Sequence, residues 1–165
     1  MNVVLANRQR TRSLNPHLLK QIASALLVDL KIEDAELGVH LIATPEMTRL
    51  NERFLRHEGS TDVITFDYSD AGRRAPAARQ QLYGEIFICV DEAVLQAHRY
   101  GTSWQLEILR YLVHGVLHLL GHDDSHTGER RKMKREEDRR VRELSRRFSL
   151  AQPGRTAKLS SCKNR

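Results

Sequence analysis

The densest chemistry in this chain lies at residues 114–126, which read His-Gly-Val-Leu-His-Leu-Leu-Gly-His-Asp-Asp-Ser-His. His114 and His118 are four apart, so on a helix they share one face, about one turn from each other. Two imidazoles held that way can grip one divalent metal, as in the H-E-x-x-H metalloenzymes. Gly121 follows as the expected helix stop, because glycine takes the left-handed conformation without steric cost. The chain can then turn back and offer a third ligand from His122, Asp123, Asp124 or His126. The zincin pattern with a turned-back ligand, H-E-x-x-H-x-x-G-x-x-H, puts its glycine at Gly121 and its third ligand at Asp124. A carboxylate is an ordinary zinc ligand, so two histidines and one aspartate form a sound donor set. Asp123 reads as a turn residue or a hydrogen-bonded support for a ligand.

With three protein ligands the fourth position is left to water, whose pKa zinc can bring toward ~7. The resulting hydroxide would serve as the nucleophile of a hydrolysis. One position departs from the protease template. The catalytic glutamate after the first histidine is here Gly115. A peptidase of that type needs this carboxylate to activate its water. A metallopeptidase is therefore the weaker reading, and a non-catalytic assembly factor whose zinc is closed off by His122 or His126 is the third.

The elements that must position these residues can be read in order. Residues 2–6 form a short strand. Asn15-Pro16 is a helix start, followed by an apolar stripe of Leu18, Leu19, Ile22, Ala25, Leu26 and Leu30. Glu36 to Ala43 alternates as a strand does. Thr44 is expected to cap a second helix, with Met47, Leu50 and Phe54 facing inward; Asn51 falls mid-helix. Residues 60–66 and 83–89 are strands with no helix between them, hence an antiparallel pair. Residues 67–82 read as a mobile loop carrying Arg73, Arg74 and Arg79. Asp91 is expected to cap a helix that Gly101 closes, Ser103 to cap the metal helix, and a last helix to span 127–147 with Met133, Val141 and Leu144 buried. The fold class is α+β: one mixed four-stranded sheet with about five helices, the metal site at the end of a buried helix.

At 165 residues and 40% hydrophobic content, one soluble domain over residues 1–150 is expected, followed by a flexible basic tail over 151–165. No apolar run approaches the ~20 residues of a membrane span. The opening residues are too quickly charged for a signal peptide, so the expected location is cytoplasmic. Two cysteines form no disulfide framework and no CxxC pair. The net charge of +6 is unevenly placed, with 13 basic against 16 acidic side chains up to residue 128 and 10 against 5 over 129–147. The tail adds four more basic residues and no acid. A basic end of this kind suits contact with RNA or the ribosome, or a solvated charged helix.

Residues 114–124 also resemble the H-G-x-L-H-L-x-G-[Y/H]-D-[H/D] motif of the YbeY family of bacterial rRNA maturation endoribonucleases. His122 stands at that motif's usual tyrosine and Asp124 at its usual third histidine. Residues 60–66 resemble the family's P-T-D-V-L-S-F, with Ser60 at the proline. Asn51 to Phe54 resembles its N-x-x-Y, and residues 83–88 its L-G-D-I-x-I. The arginine that often follows the aromatic is here Leu55; Arg56 is the nearest substitute, although on a helix it points about 100° away. The resemblance implies one zinc ion held by His114, His118 and Asp124. It further implies a single-strand-specific endoribonuclease acting at the 3′ end of small-subunit rRNA and in ribosome quality control. The implied partners are rRNA, the small ribosomal subunit and its proteins, with no nucleotide cofactor and no membrane.

Overall fold

The computed structural model of the chain describes residues 1–69 and 80–150. The expected basic tail at 151–165 lies outside the described residues, as does the 70–79 part of the expected loop. The ends of that loop are strand instead.

The chain runs β1 (Asn2–Asn7), α1 (Pro16–Asp29), β2 (Asp34–Ile42), α2 (Thr44–Leu50), a π-helical turn (Asn51–Leu55), β3 (Val63–Asp67), β4 (Gln81–Cys89), α3 (Val90–Tyr100), α4 (Trp104–Leu119) and α5 (Thr127–Arg147). The four strands make one mixed sheet in the order β1-β2-β4-β3. β1, β2 and β4 are parallel, and β3 pairs antiparallel to β4 with Ile64 opposite Phe87. The α+β expectation is met, including the antiparallel pair.

Period-two alternation divides the strands between two cores. Leu37, Val39 and Leu41 of β2 and Leu82, Ile86 and Ile88 of β4 face α1 and α4. Ile42, Ile64, Phe87 and Cys89 face the other way and pack under Met47 of α2. α4 is the centre of the larger core, with Ile108, Leu109, Leu112, Val113, Val116 and Leu117 all buried. Burying a large aliphatic side chain is worth roughly 1.5–3 kcal/mol, so these residues fix the helix firmly. Ser103 starts α4 by accepting from the Leu106 N–H at 3.2 Å. Its approach to β4 is close enough to need glycine. A Cβ on Gly115 would lie 2.8 Å from Ile86 Cγ2. One on Gly84 would lie 2.8 Å from Cδ2 of Leu119 on α4.

The structure corrects three local expectations. Asp91 does not cap its own helix: its Oδ2 accepts the Thr44 N–H at 2.7 Å and its Oδ1 accepts from the Thr11 hydroxyl. It therefore caps α2 from across the fold, and Thr44 caps nothing with its side chain. Phe54 is half exposed rather than inward, because the π-helical turn adds a residue and rotates the stripe after Leu50. Asn51 is buried, donating from Nδ2 to the Gly59 carbonyl at 2.9 Å, and so ties the following loop to the turn.

Candidate metal centre

α4 ends in a Schellman motif. The Gly121 N–H donates to the His118 carbonyl and the His122 N–H to the Leu117 carbonyl, with Gly121 at φ +86°. This turn swings residues 122–126 back over the last turn of the helix. Asp123 then closes a second turn by accepting from the backbone N–H and hydroxyl of Ser125, which holds its carboxyl at about 2. Arg130 of α5 donates to the Asp124 carbonyl at 2.8 Å.

The result is a convergence of three donors. His114, His118 and Asp124 each present a ligand atom, and these atoms all lie within 4.8 Å of one another. His118 Nε2 and Asp124 Oδ2 are 3.7 Å apart. Donors on a tetrahedral zinc ion sit about 3.3 Å apart. Among the described residues no other such group of donors occurs. His126 instead hydrogen-bonds within the turn, to Ser125 and Asp123, and is 82% exposed.

The orientation of His114 comes from a residue that sequence reading passed over. Glu137 of α5 is buried, and its Oε2 accepts from His114 Nδ1 at 2.9 Å. Its Oε1 accepts from Arg110 and from Lys134, both at 2.8 Å. Burial alone would raise the Glu137 carboxyl, but hydrogen bonds from His114, Lys134 and Arg110 outweigh it and hold the group at about 2. An ionised Glu137 requires the proton on Nδ1 of His114, which leaves the Nε2 lone pair for a metal. His118 is pushed the same useful way. Burial, and then the neighbouring His114, lower its pKa against the opposing pull of Asp124, so it stays neutral and able to donate a lone pair. A signal for Glu137 exists in the sequence: it falls in the apolar stripe Met133, Val141, Leu144, where a carboxylate must find a partner.

Across from α4, the cleft of about 300 Å³ is walled by Leu55 and by Asp62, Val63, Ile64 and Thr65 at the start of β3. Leu55, not Arg56, lines it. Arg56 takes a left-handed conformation at φ 56°, closes the π-helical turn and lies exposed beside the cleft wall.

A family model described as Endoribonuclease YbeY matches residues 4–145. The chain belongs to the YbeY family. Curated YbeY endoribonucleases are similar to it. That of Myxococcus xanthus is 36% identical over 70% of this chain and 39% of its own length. The one from Chlorobium phaeovibrioides is 39% identical over 59% of this chain and 61% of its own length. The one from Geobacter metallireducens is 31% identical over 78% of this chain and 85% of its own length. The chain thus spans less than two thirds of the length of the first two relatives. A Thermotoga maritima protein solved in solution shares the fold, with a TM-score of 0.64 at 24% identity, covering 93% of this chain and 99% of that one. Among the described residues no helix is long and apolar enough to cross a membrane.

Proposed function

We propose that this YbeY-family chain is a zinc-dependent endoribonuclease of rRNA maturation, with His114, His118 and Asp124 as the metal ligands. The observation that carries the reading is the convergence of these three donors at one end of an open cleft. A zinc ion bound there supplies positive charge to a phosphoryl oxygen and lowers the pKa of coordinated water toward ~7.

The chain's own residues do the rest. Glu137 holds His114 in the tautomer that can ligate, and burial keeps His118 neutral. Leu55 and Val63 give the cleft an apolar wall that limits bulk water beside the reacting phosphate. Arg56, exposed next to Leu55, supplies a cation at the rim for the RNA backbone. The small ribosomal subunit's rRNA is the substrate, and the cytoplasm, where ribosomes mature, is the place of action. A peptidase is disfavoured by space as well as by chemistry: the position of the zincin glutamate is Gly115, where even a Cβ meets Ile86 at 2.8 Å.

The test assays the purified chain on an RNA carrying the unprocessed 3′ end of small-subunit rRNA and on casein, with and without chelator. Chelator-sensitive RNA cleavage with casein left intact is expected. His118→Ala should be folded and inactive. Chelator-sensitive proteolysis without RNA cleavage would overturn the reading.

A further inference from the structure

α5 carries ten basic side chains, and their partners divide them sharply. Six are engaged. Arg130 holds the Asp124 carbonyl, Lys132 pairs with Glu129, and Lys134 pairs with Glu137 and Asp138. Arg139 and Arg140 share Glu136, and Arg147 reaches Asp29 on α1. The other four, Arg131, Arg135, Arg142 and Arg146, are exposed, and their guanidinium groups make no hydrogen bond or ion pair among the described residues.

Their spacing is four, seven and four. At about 100° per residue all four fall within about 60° of the helix surface, in a stripe about 22 Å long. The buried stripe of Met133, Glu137, Val141 and Leu144 lies on the far side of the helix. Asp138 is the one acid close to the arginine face, and Arg110 and Lys134 already bind it. The acids Glu129, Glu136 and Glu143 sit to one flank and serve other cations. Arg131 with Arg135, and Arg142 with Arg146, are like charges four apart, which works against the helix when nothing outside relieves it. A helix arranged for its own stability would interleave these arginines with the acids it already has.

We infer that the outer face of α5 is a track for RNA phosphates flanking the cleaved bond. The inference deepens the endoribonuclease reading and rests on it. Guanidinium groups match phosphate oxygens in pairs, and arginines one turn apart are about 6 Å apart along the axis, on the order of the step between phosphates of an extended strand. The stripe starts seven residues after Asp124 and points away from Glu137, so it holds the strand beyond the cleft rather than the reacting phosphate.

The experiment measures binding of the full chain to a labelled unstructured RNA about 20 nucleotides long, in chelator, across about 50 to 200 mM salt. The variant is Arg131→Gln, Arg135→Gln, Arg142→Gln, Arg146→Gln. For a single strand, each phosphate contact contributes about 0.7 to the slope of log Kd against log salt, so the slope should fall by up to about 2.8. The half-stripe variants, Arg131→Gln with Arg135→Gln and Arg142→Gln with Arg146→Gln, should each lose about half of that. Circular dichroism reports whether α5 persists. A charge-matched control, Arg10→Gln, Lys20→Gln, Arg49→Gln, Arg99→Gln, should keep the wild-type slope. A four-arginine variant that keeps the wild-type slope overturns the track, while chelator-sensitive cleavage by the wild type keeps the nuclease reading. A wild-type chain that binds with the full slope yet cuts no RNA does the reverse. Polyglutamate competing as well as RNA would show an acidic protein as the occupant and overturn RNA.

Discussion

Nδ1 of His114 on α4 and Oε2 of Glu137 on α5 lie 2.9 Å apart, although 23 residues separate them in sequence. The proposed metal ligand is thus aimed by a helix that contributes none of the three donors. Carboxylate support of this kind is typically worth 10- to 100-fold in metal affinity. Glu137→Gln keeps the shape and removes the charge, so zinc affinity should drop about 10-fold. Competition against a chromophoric chelator measures it, and an unchanged affinity would remove the orienting role from Glu137.

Glu137 also sets an acid limit on stability. Its carboxyl is held at about 2, below the ordinary value of 4.5. A depressed pKa stabilises the fold at pH values above the ordinary one, and that contribution is lost as pH falls from about 4.5 through about 2. The shift corresponds to on the order of 3 kcal/mol in the metal-free protein. Urea unfolding at about pH 6 and about pH 3 should show the loss, and Glu137→Gln should flatten the difference between them.

Asp124 has a half-exposed side chain, and Arg130 bonds its backbone carbonyl, so changing the side chain leaves that contact alone. Asp124→Ala should unfold within about 0.5 kcal/mol of wild type yet fail to retain zinc or cut RNA. Asp124→His, restoring the usual residue of the family motif, should keep both. Metal analysis beside a cleavage assay checks the pair; full activity in Asp124→Ala would exclude this residue as a ligand.

Gly115 faces Ile86 with no room for a methyl group. Glycine to alanine inside a helix ordinarily gains about 1 kcal/mol. Overpacking against a β-branched neighbour costs about 1–3 kcal/mol and should win. Gly115→Ala is expected to melt below wild type and to bind zinc less tightly, because α4 must lift from β4. A melting point at or above wild type would contradict the close approach.

Arg56 is exposed beside the cleft rather than inside it. Loss of one exposed cation near a phosphate is worth roughly 0.2–1 kcal/mol. Arg56→Gln should therefore raise KM for RNA about 2- to 5-fold and leave kcat in place. A fall in kcat of about 100-fold would put Arg56 at the reacting phosphate instead.

Local rules carried most of this architecture. Asn15 caps α1, Ser103 caps α4, Gly101 and Gly121 take positive φ, and the alternation in β2 assigns its faces correctly. What local rules miss is traffic between distant segments. Asp91 stands where a first-turn acid belongs, yet its oxygens serve Thr44 and Thr11. Phe54 keeps helical spacing from Met47 and Leu50, but one inserted residue turns it outward. His114 and His118 announce themselves by spacing alone. Glu137 shows only as a carboxylate within the apolar stripe of Met133, Val141 and Leu144, and what it serves is hidden because its partner lies on another helix.

The three donors are not held alike. Two ride on the most deeply packed helix, and the third hangs from a short exposed turn pinned by Gly121 and Arg130. For the proposed ion this predicts an order of exchange: the imidazole pair catches first and lets go last, while the carboxylate acts as a latch. Off-rates should respond chiefly to the turn, and on-rates to the imidazole pair.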